Sequence, residues 1–226
     1  MSGLGKLSTV KRFESKQNDV TLVRWGKSPR LCVAKRFVDR ARLEKELRIS
    51  ARIRESGLKA PAVLGRSEDT VLYEYVEGRT LCALLDEAEA SGDGSGVLIA
   101  LGLLCEWLGA FHSATGAAFY DINLRNFVMH GGAVYGFDYE DSREGSMEAD
   151  YGRLLAFVLT YDPAFTGLKL GLGRRLLLRM SEGGAEKGGA LDAMKRELTA
   201  MLTRRAAQYP LTPDAAAAAI EEGNGL

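Results

Sequence analysis

The chain has 226 residues, 46% hydrophobic and 27% charged, which suits one globular domain or two small lobes sharing a cleft. Thirty basic residues balance 30 acidic ones, so no net field recruits nucleic acid or an anionic membrane. No secretory signal is legible at Met1–Lys6, and Glu106 interrupts the most apolar run, Val97–Phe111, which is shorter than the ~20 residues of a membrane span.

A buried helix at Val97–Phe111, no membrane span and a cytoplasmic location are therefore expected. Cys32, Cys82 and Cys105 are far apart in apolar surroundings and are expected to be reduced core thiols. With His112 and His130 as the two histidines, a transition-metal site is not expected.

In chain order, Leu7–Phe13 is the first strand, although Leu7, Val10 and Phe13 alternate imperfectly. The polar turn Glu14–Asp19 leads into the β-branched and aromatic strand Val20–Trp25, and Gly26–Pro29 turns into Leu31–Phe37. Asp39 begins a helix to about Ser56, with Leu43 and Leu47 four apart, as are Ile49 and Ile53, and Gly57 as its stop. Short strands follow at Ala62–Leu64 and Thr70–Val76.

From Thr80 onward the pattern is helical, broken at Ser91–Gly96 and at Gly183–Gly189. The exception is the stretch after Asp121, where Phe127–Met129 and Ala133–Tyr135 flank Gly131-Gly132 as a β-hairpin. Ala215–Ala219 is helical by propensity. The reading is an α+β fold, with a β-rich lobe over residues 1–76 and a helical lobe over residues 77–226.

The chemistry concentrates in Phe119-Tyr120-Asp121-Ile122-Asn123-Leu124-Arg125-Asn126 and in Asp138, twelve residues beyond Asn126. An Asp can orient an attacking hydroxyl and take its proton, while an Asn oxygen and a second Asp can hold the divalent ions that neutralise a triphosphate. Alone, this spacing also suits a surface loop with acidic residues.

The remaining motifs make the chain resemble the protein-kinase-like superfamily. The likeness is to its compact atypical branch of RIO-type kinases, the small kinase of the tRNA threonylcarbamoylation complex, and aminoglycoside phosphotransferases. Matching elements run from about Leu7 to Leu159. Val33-Ala34-Lys35 resembles the strand whose lysine grips the α- and β-phosphates. Its acidic partner is expected on the next helix, where Glu46 fits best and Glu44 is the competitor.

Leu72-Tyr73-Glu74-Tyr75-Val76 resembles the hinge. The resemblance implies that backbone groups of Glu74 and Val76 bind the adenine edge and that Tyr73 lines the back of that pocket. It gives Asp121 and Asn126 catalytic roles, Asn126 and Asp138 the metal, and Asp150 the bracing of the catalytic loop from beneath. Asp150 also suits a carboxylate in the first turn of a helix.

The sequence departs from the family pattern in four places. Glu14–Asp19 replaces the glycine-rich phosphate loop, with Ser15, Lys16 and Asn18 as side-chain donors. Phe119 stands where the family has His, and Asn123 where many protein kinases have Lys. Eleven residues separate Asp138 from Asp150, too few for an activation segment. Glu140 and Asp141 read equally as aids to metal binding or as a solvated acidic turn.

The resemblance implies an ATP-dependent phosphotransferase using ATP with Mg²⁺ or Mn²⁺. A protein Ser/Thr hydroxyl stands slightly ahead as acceptor, and a small-molecule hydroxyl close behind. A protein partner is possible on this reading, which also leaves a pseudokinase or ATPase acting in a complex as a rival. No nucleic acid is expected.

Overall fold

The structure is a computed structural model that describes residues 4–15, 17–26, 30–205 and 209–221, and only the backbone of 204 and 205. Lys16 lies outside the described residues. Five strands, β1 (Leu7–Phe13), β2 (Asp19–Trp25), β3 (Leu31–Arg36), β4 (Val63–Arg66) and β5 (Thr70–Glu74), form one antiparallel sheet in the order β1-β2-β3-β5-β4. Helix α1 (Arg40–Ser56) enters it between β3 and β4.

The period-2 alternation of β3 divides the first lobe in two. Cys32 and Ala34 face Val23 and Leu72 on one side. On the other side Val33 packs with Phe37, Leu43, Val71 and Tyr73, and Lys35 shares that face, with its ammonium 4.7 Å from the Phe37 ring. Asp39 caps α1 by accepting from the Ala41 N–H at 2.7 Å, and Gly57 ends the helix at φ 75°, a conformation that favours glycine.

Beyond β5, a two-residue strand β6 (Arg79–Thr80) joins the hairpin β7 (Phe127–His130) and β8 (Ala133–Gly136). Gly131 and Gly132, at φ 56° and 79°, make the hairpin turn. Helices α2 (Leu81–Ser91), α3 (Ser95–Thr115), α4 (Met147–Thr160), α5 (Gly167–Glu182), α6 (Lys187–Arg205) and α7 (Pro213–Glu221) complete the second lobe. The glycine break expected up to Gly189 ends earlier, because Gly188 and Gly189 lie inside the first turn of α6.

Helix α3 is long and apolar enough to cross a membrane, yet Val97, Leu101, Leu104, Leu108 and Phe111 on it are buried in the main core. Cys32, Cys82 and Cys105 are buried free thiols.

Candidate active site

The buried stripe of α1 is Leu43, Glu46, Ile49 and Ile53, so a carboxylate interrupts an otherwise apolar face. Glu44 is exposed. Lys35 Nζ lies 3.5 Å from Glu46 Oε2, 2.5 Å from Asp138 Oδ1 and 3.1 Å from Glu140 Oε2, with its side chain 8% exposed. One ammonium thus serves three carboxylates.

Glu46 has two further donors: the Tyr73 hydroxyl at 3.2 Å and the Tyr139 N–H at 2.9 Å. Tyr73, near the end of β5, therefore reaches the α1 carboxylate from the sheet. Burial raises the Glu46 pKa above the carboxylate range, against the pull of Lys35. Burial would by itself lower Lys35, but Glu46, Asp138 and Glu140 outweigh it and hold the ammonium protonated above its ordinary pKa.

Asp121 and Asn126 form a second cluster. Asn126 Nδ2 donates to Asp121 Oδ2 at 3.1 Å and to the Asp121 carbonyl at 3.4 Å. Asn123 caps the single 3-10 turn Leu124–Asn126, its Oδ1 accepting from the Arg125 N–H at 3.0 Å. The Asn123 side-chain oxygen is thus spent on the loop itself. The Asn126 carbonyl accepts from the Phe137 N–H at 3.1 Å, which fastens this loop to the segment bearing Asp138.

Both clusters carry backbone strain. Tyr120 and Asp138 have φ of 74° and 71°, a left-handed conformation that costs a non-glycine residue energy and recurs at functional sites.

Asp150, in the first turn of α4, supports the loop from inside the second lobe. Its carboxylate accepts from the Phe119 N–H at 2.6 Å and the Tyr120 N–H at 3.0 Å, and pairs with Arg153 at 3.1 Å. Burial nevertheless pushes its pKa up to about 6. Both sequence expectations for Asp150, the brace and the first-turn carboxylate, describe its position.

Phe119 is buried in an aromatic cluster behind the loop. Its ring lies 5.4 Å from Phe111, 5.0 Å from Phe127 and 6.1 Å from Tyr139. Arg143 and Arg153 stack on the Tyr120 ring at 3.2 and 4.1 Å, an arrangement the sequence did not suggest.

No protein-family model matches the chain, and no curated protein sequence matches it. Among solved structures it is similar to the amicoumacin kinase hAmiN, determined in complex with AMP-PNP, Ca²⁺ and Ami. The TM-score is 0.66 at 14% identity, over 96% of this chain and 88% of that one. The chain has a protein-kinase-like fold. It is also similar to the kinase PK-1 of Cydia pomonella granulovirus, with a TM-score of 0.50 at 14% identity. That match covers 62% of this chain, which spans only 55% of the viral kinase.

Within this kinase-like fold, the sequence-derived residues fall into distinct groups. Lys35, Glu46, Asp138 and Tyr73 meet directly, and Asp121 meets Asn126. Val76 lies just past β5, outside both sheets. The Glu74 N–H donates to the Ala62 carbonyl at 2.8 Å, and its carboxylate pairs with Arg30 at 2.8 Å. Asn18 Nδ2 donates to Glu140 Oε2 at 2.7 Å.

Sequence reasoning missed Arg42 and left Glu140 undecided. Arg42 binds Glu140 Oε1 at 3.1 Å and lies 3.5 Å from Asp141. The available signal was spacing: Arg42 lies one helical turn before Glu46 on the same face.

Proposed function

We propose that this chain is an ATP-dependent phosphotransferase that moves a γ-phosphoryl group to a hydroxyl oxygen. One observation carries the reading: a buried Lys35 held against Glu46 and Asp138, with the Asp121–Asn126 pair fastened to the Asp138 segment. Lys35 would grip the phosphates while Glu46 fixes its position. The Glu74 carbonyl and Val76 backbone would meet the adenine edge. Asp121 would orient the acceptor hydroxyl and receive its proton as that oxygen bonds to the γ-phosphorus; the bond to the bridging oxygen breaks and ADP leaves.

Asn126 and Asp138 offer amide and carboxylate oxygens, the donor chemistry of a hard cation such as Mg²⁺ or Mn²⁺. The Asn126 Nδ2 is spent on Asp121, which leaves its Oδ1 as the ligand atom. When bound, the ion would neutralise charge on the transferred phosphoryl group. The nucleotide analogue and Ca²⁺ bound to the amicoumacin kinase support nucleotide and divalent-ion use here.

For the acceptor we place a small hydroxyl compound ahead of a protein Ser/Thr, the reverse of the sequence expectation. Tyr139, Glu140 and Ser142 are buried, Arg143 is bridged to Ala118, and eleven residues between Asp138 and Asp150 are too few to build the peptide-binding segment of a protein kinase. The likeness to a kinase solved with a small molecule runs through 96% of the chain, its helical lobe included.

Incubation with radiolabelled ATP, Mg²⁺ or Mn²⁺, and separate panels of hydroxyl compounds and Ser/Thr peptides tests this reading. Metal-dependent transfer to a small molecule is expected. Nucleotide binding with neither transfer nor hydrolysis would instead make the chain a nucleotide-binding scaffold.

A further inference from the structure

Glu140 needs explaining. Lys35 already has Glu46 and Asp138, so a further, buried carboxylate is not required to neutralise it. Glu140 is 5% exposed, and its Oε2 accepts from Lys35 at 3.1 Å and from Asn18 at 2.7 Å. Its Oε1 accepts from Arg42 at 3.1 Å, and Arg42 also donates to Gln17. This one side chain therefore joins β3, α1, the β1–β2 loop and the segment after Asp138.

The β1–β2 loop has no glycine between Glu14 and Asp19. A glycine-rich loop approaches phosphates with bare backbone amides. A loop carrying side chains must be drawn in by other means, and hydrogen bonds to a buried, ionised acceptor are among the stronger ones available.

We propose that Glu140 is a positioning residue that fastens the β1–β2 loop, through Asn18, over the nucleotide site in place of a glycine-rich turn. The proposal rests on the ATP-binding reading above. Glu140 acts on the loop and on Lys35, not on the reacting atoms. Glu140 is therefore neither a solvated residue nor an open metal ligand, because both of its oxygens hold donors from the first lobe.

The test is a double-mutant cycle of Asn18→Ala and Glu140→Gln in the full chain. It reads the Kd for the fluorescent analogue mant-ATP at saturating Mg²⁺, together with KM and kcat for ATP. Each single change is expected to weaken mant-ATP binding about 10- to 150-fold, the range set by losing one charge-assisted hydrogen bond. The larger part of each loss should fall on KM. The double variant should be no worse than the weaker-binding single variant, because both changes remove the shared Asn18–Glu140 contact.

Losses that multiply in the double variant would overturn the proposal. So would a Glu140→Gln protein whose only defect is a higher Mg²⁺ requirement, which would make Glu140 a metal ligand. If Glu140→Gln does not fold, Arg42→Ala replaces it in the cycle, since Arg42 anchors the other oxygen. Failure of the parent protein to bind mant-ATP would sink the kinase reading itself, whereas parent binding with independent variants sinks the fastening alone.

Discussion

Asp121 is bound by Asn126 Nδ2, and the loop behind it hangs from Asp150, so removing its basicity need not disturb the fold. Asp121→Asn should lower phosphoryl transfer about 10²- to 10⁴-fold, the range for a positioned general base, while the Kd for mant-ATP changes little. Near-normal turnover in that variant would remove Asp121 from the mechanism. Lys35→Met acts differently. It strips the ammonium from the buried Glu46 and Glu140. Breaking such a buried pair costs about 3–5 kcal/mol, which urea unfolding would read directly.

Asp150 gives a pH-dependent prediction at the same scale. Its pKa is raised to about 6 by burial, against an ordinary value of 3.8. Between those values the folded protein holds a proton that the unfolded chain has released. The contribution of this carboxyl to stability is therefore full below about pH 4 and is lost as pH rises through about 6. Asp150→Asn has no such slope, so its deficit in Tm should be largest near pH 4 and shrink towards pH 7. A deficit that grows with pH would mean that the two amide hydrogen bonds outweigh burial.

Among the elements, α4 and α6 pack closely enough to exclude a methyl group. A Cβ on Gly152 would lie 2.4 Å from the Ala193 Cβ and 2.5 Å from the Met194 nitrogen. Gly152→Ala should cost about 1–3 kcal/mol as overpacking, seen as a lower urea midpoint at unchanged slope. Gly171, inside α5, has nothing within 4 Å of such a carbon. Gly171→Ala should therefore stabilise by about 0.5–1 kcal/mol through helix propensity alone.

The same packing explains where element reading went astray. Gly188-Gly189 has the composition of a break, yet Gly189 sits at the α4 contact, where a Cβ would be 3.1 Å from Glu148 Cγ. Tertiary fit overrides propensity there. β6 was invisible for a different reason: two residues carry no periodicity, and only the pairing of Arg79 with Met129 and of Thr80 with Val128 defines them. By contrast, the α1 cap at Asp39, its stop at Gly57 and the Gly131-Gly132 turn are local backbone chemistry, and they were legible.

For the whole molecule, the site lies where one sheet, α1 and the helical lobe converge, so a ligand there should stabilise the protein as a unit. ATP with Mg²⁺ at about 100 times its Kd should add roughly 2.7 kcal/mol, raising Tm by about 5–10 °C in a chain of this length. Absence of any metal-dependent shift would count against nucleotide binding at Lys35. The Asn18–Glu140 contact joins the sheet's loop to the segment behind Asp138. Part of that thermal shift should therefore disappear in Asn18→Ala.

The amino-acid sequence by itself determined the order of the longer strands and helices, β6 excepted, together with Lys35, the polar loop Phe119–Asn126 and the Asp beyond the hairpin. Each of these is encoded within a few neighbouring residues by periodicity, turn chemistry or spacing. Only the tertiary structure decided that Glu46 rather than Glu44 faces Lys35, that Tyr73 holds Glu46, and that Glu140 gathers Asn18, Arg42 and Lys35. Those contacts join residues 11 to 122 positions apart, and helix rotation, sheet register and the strained φ of Asp138 bring them together. Sequence spacing carries the identity of the charges, but which charges meet follows from how the two lobes close around them.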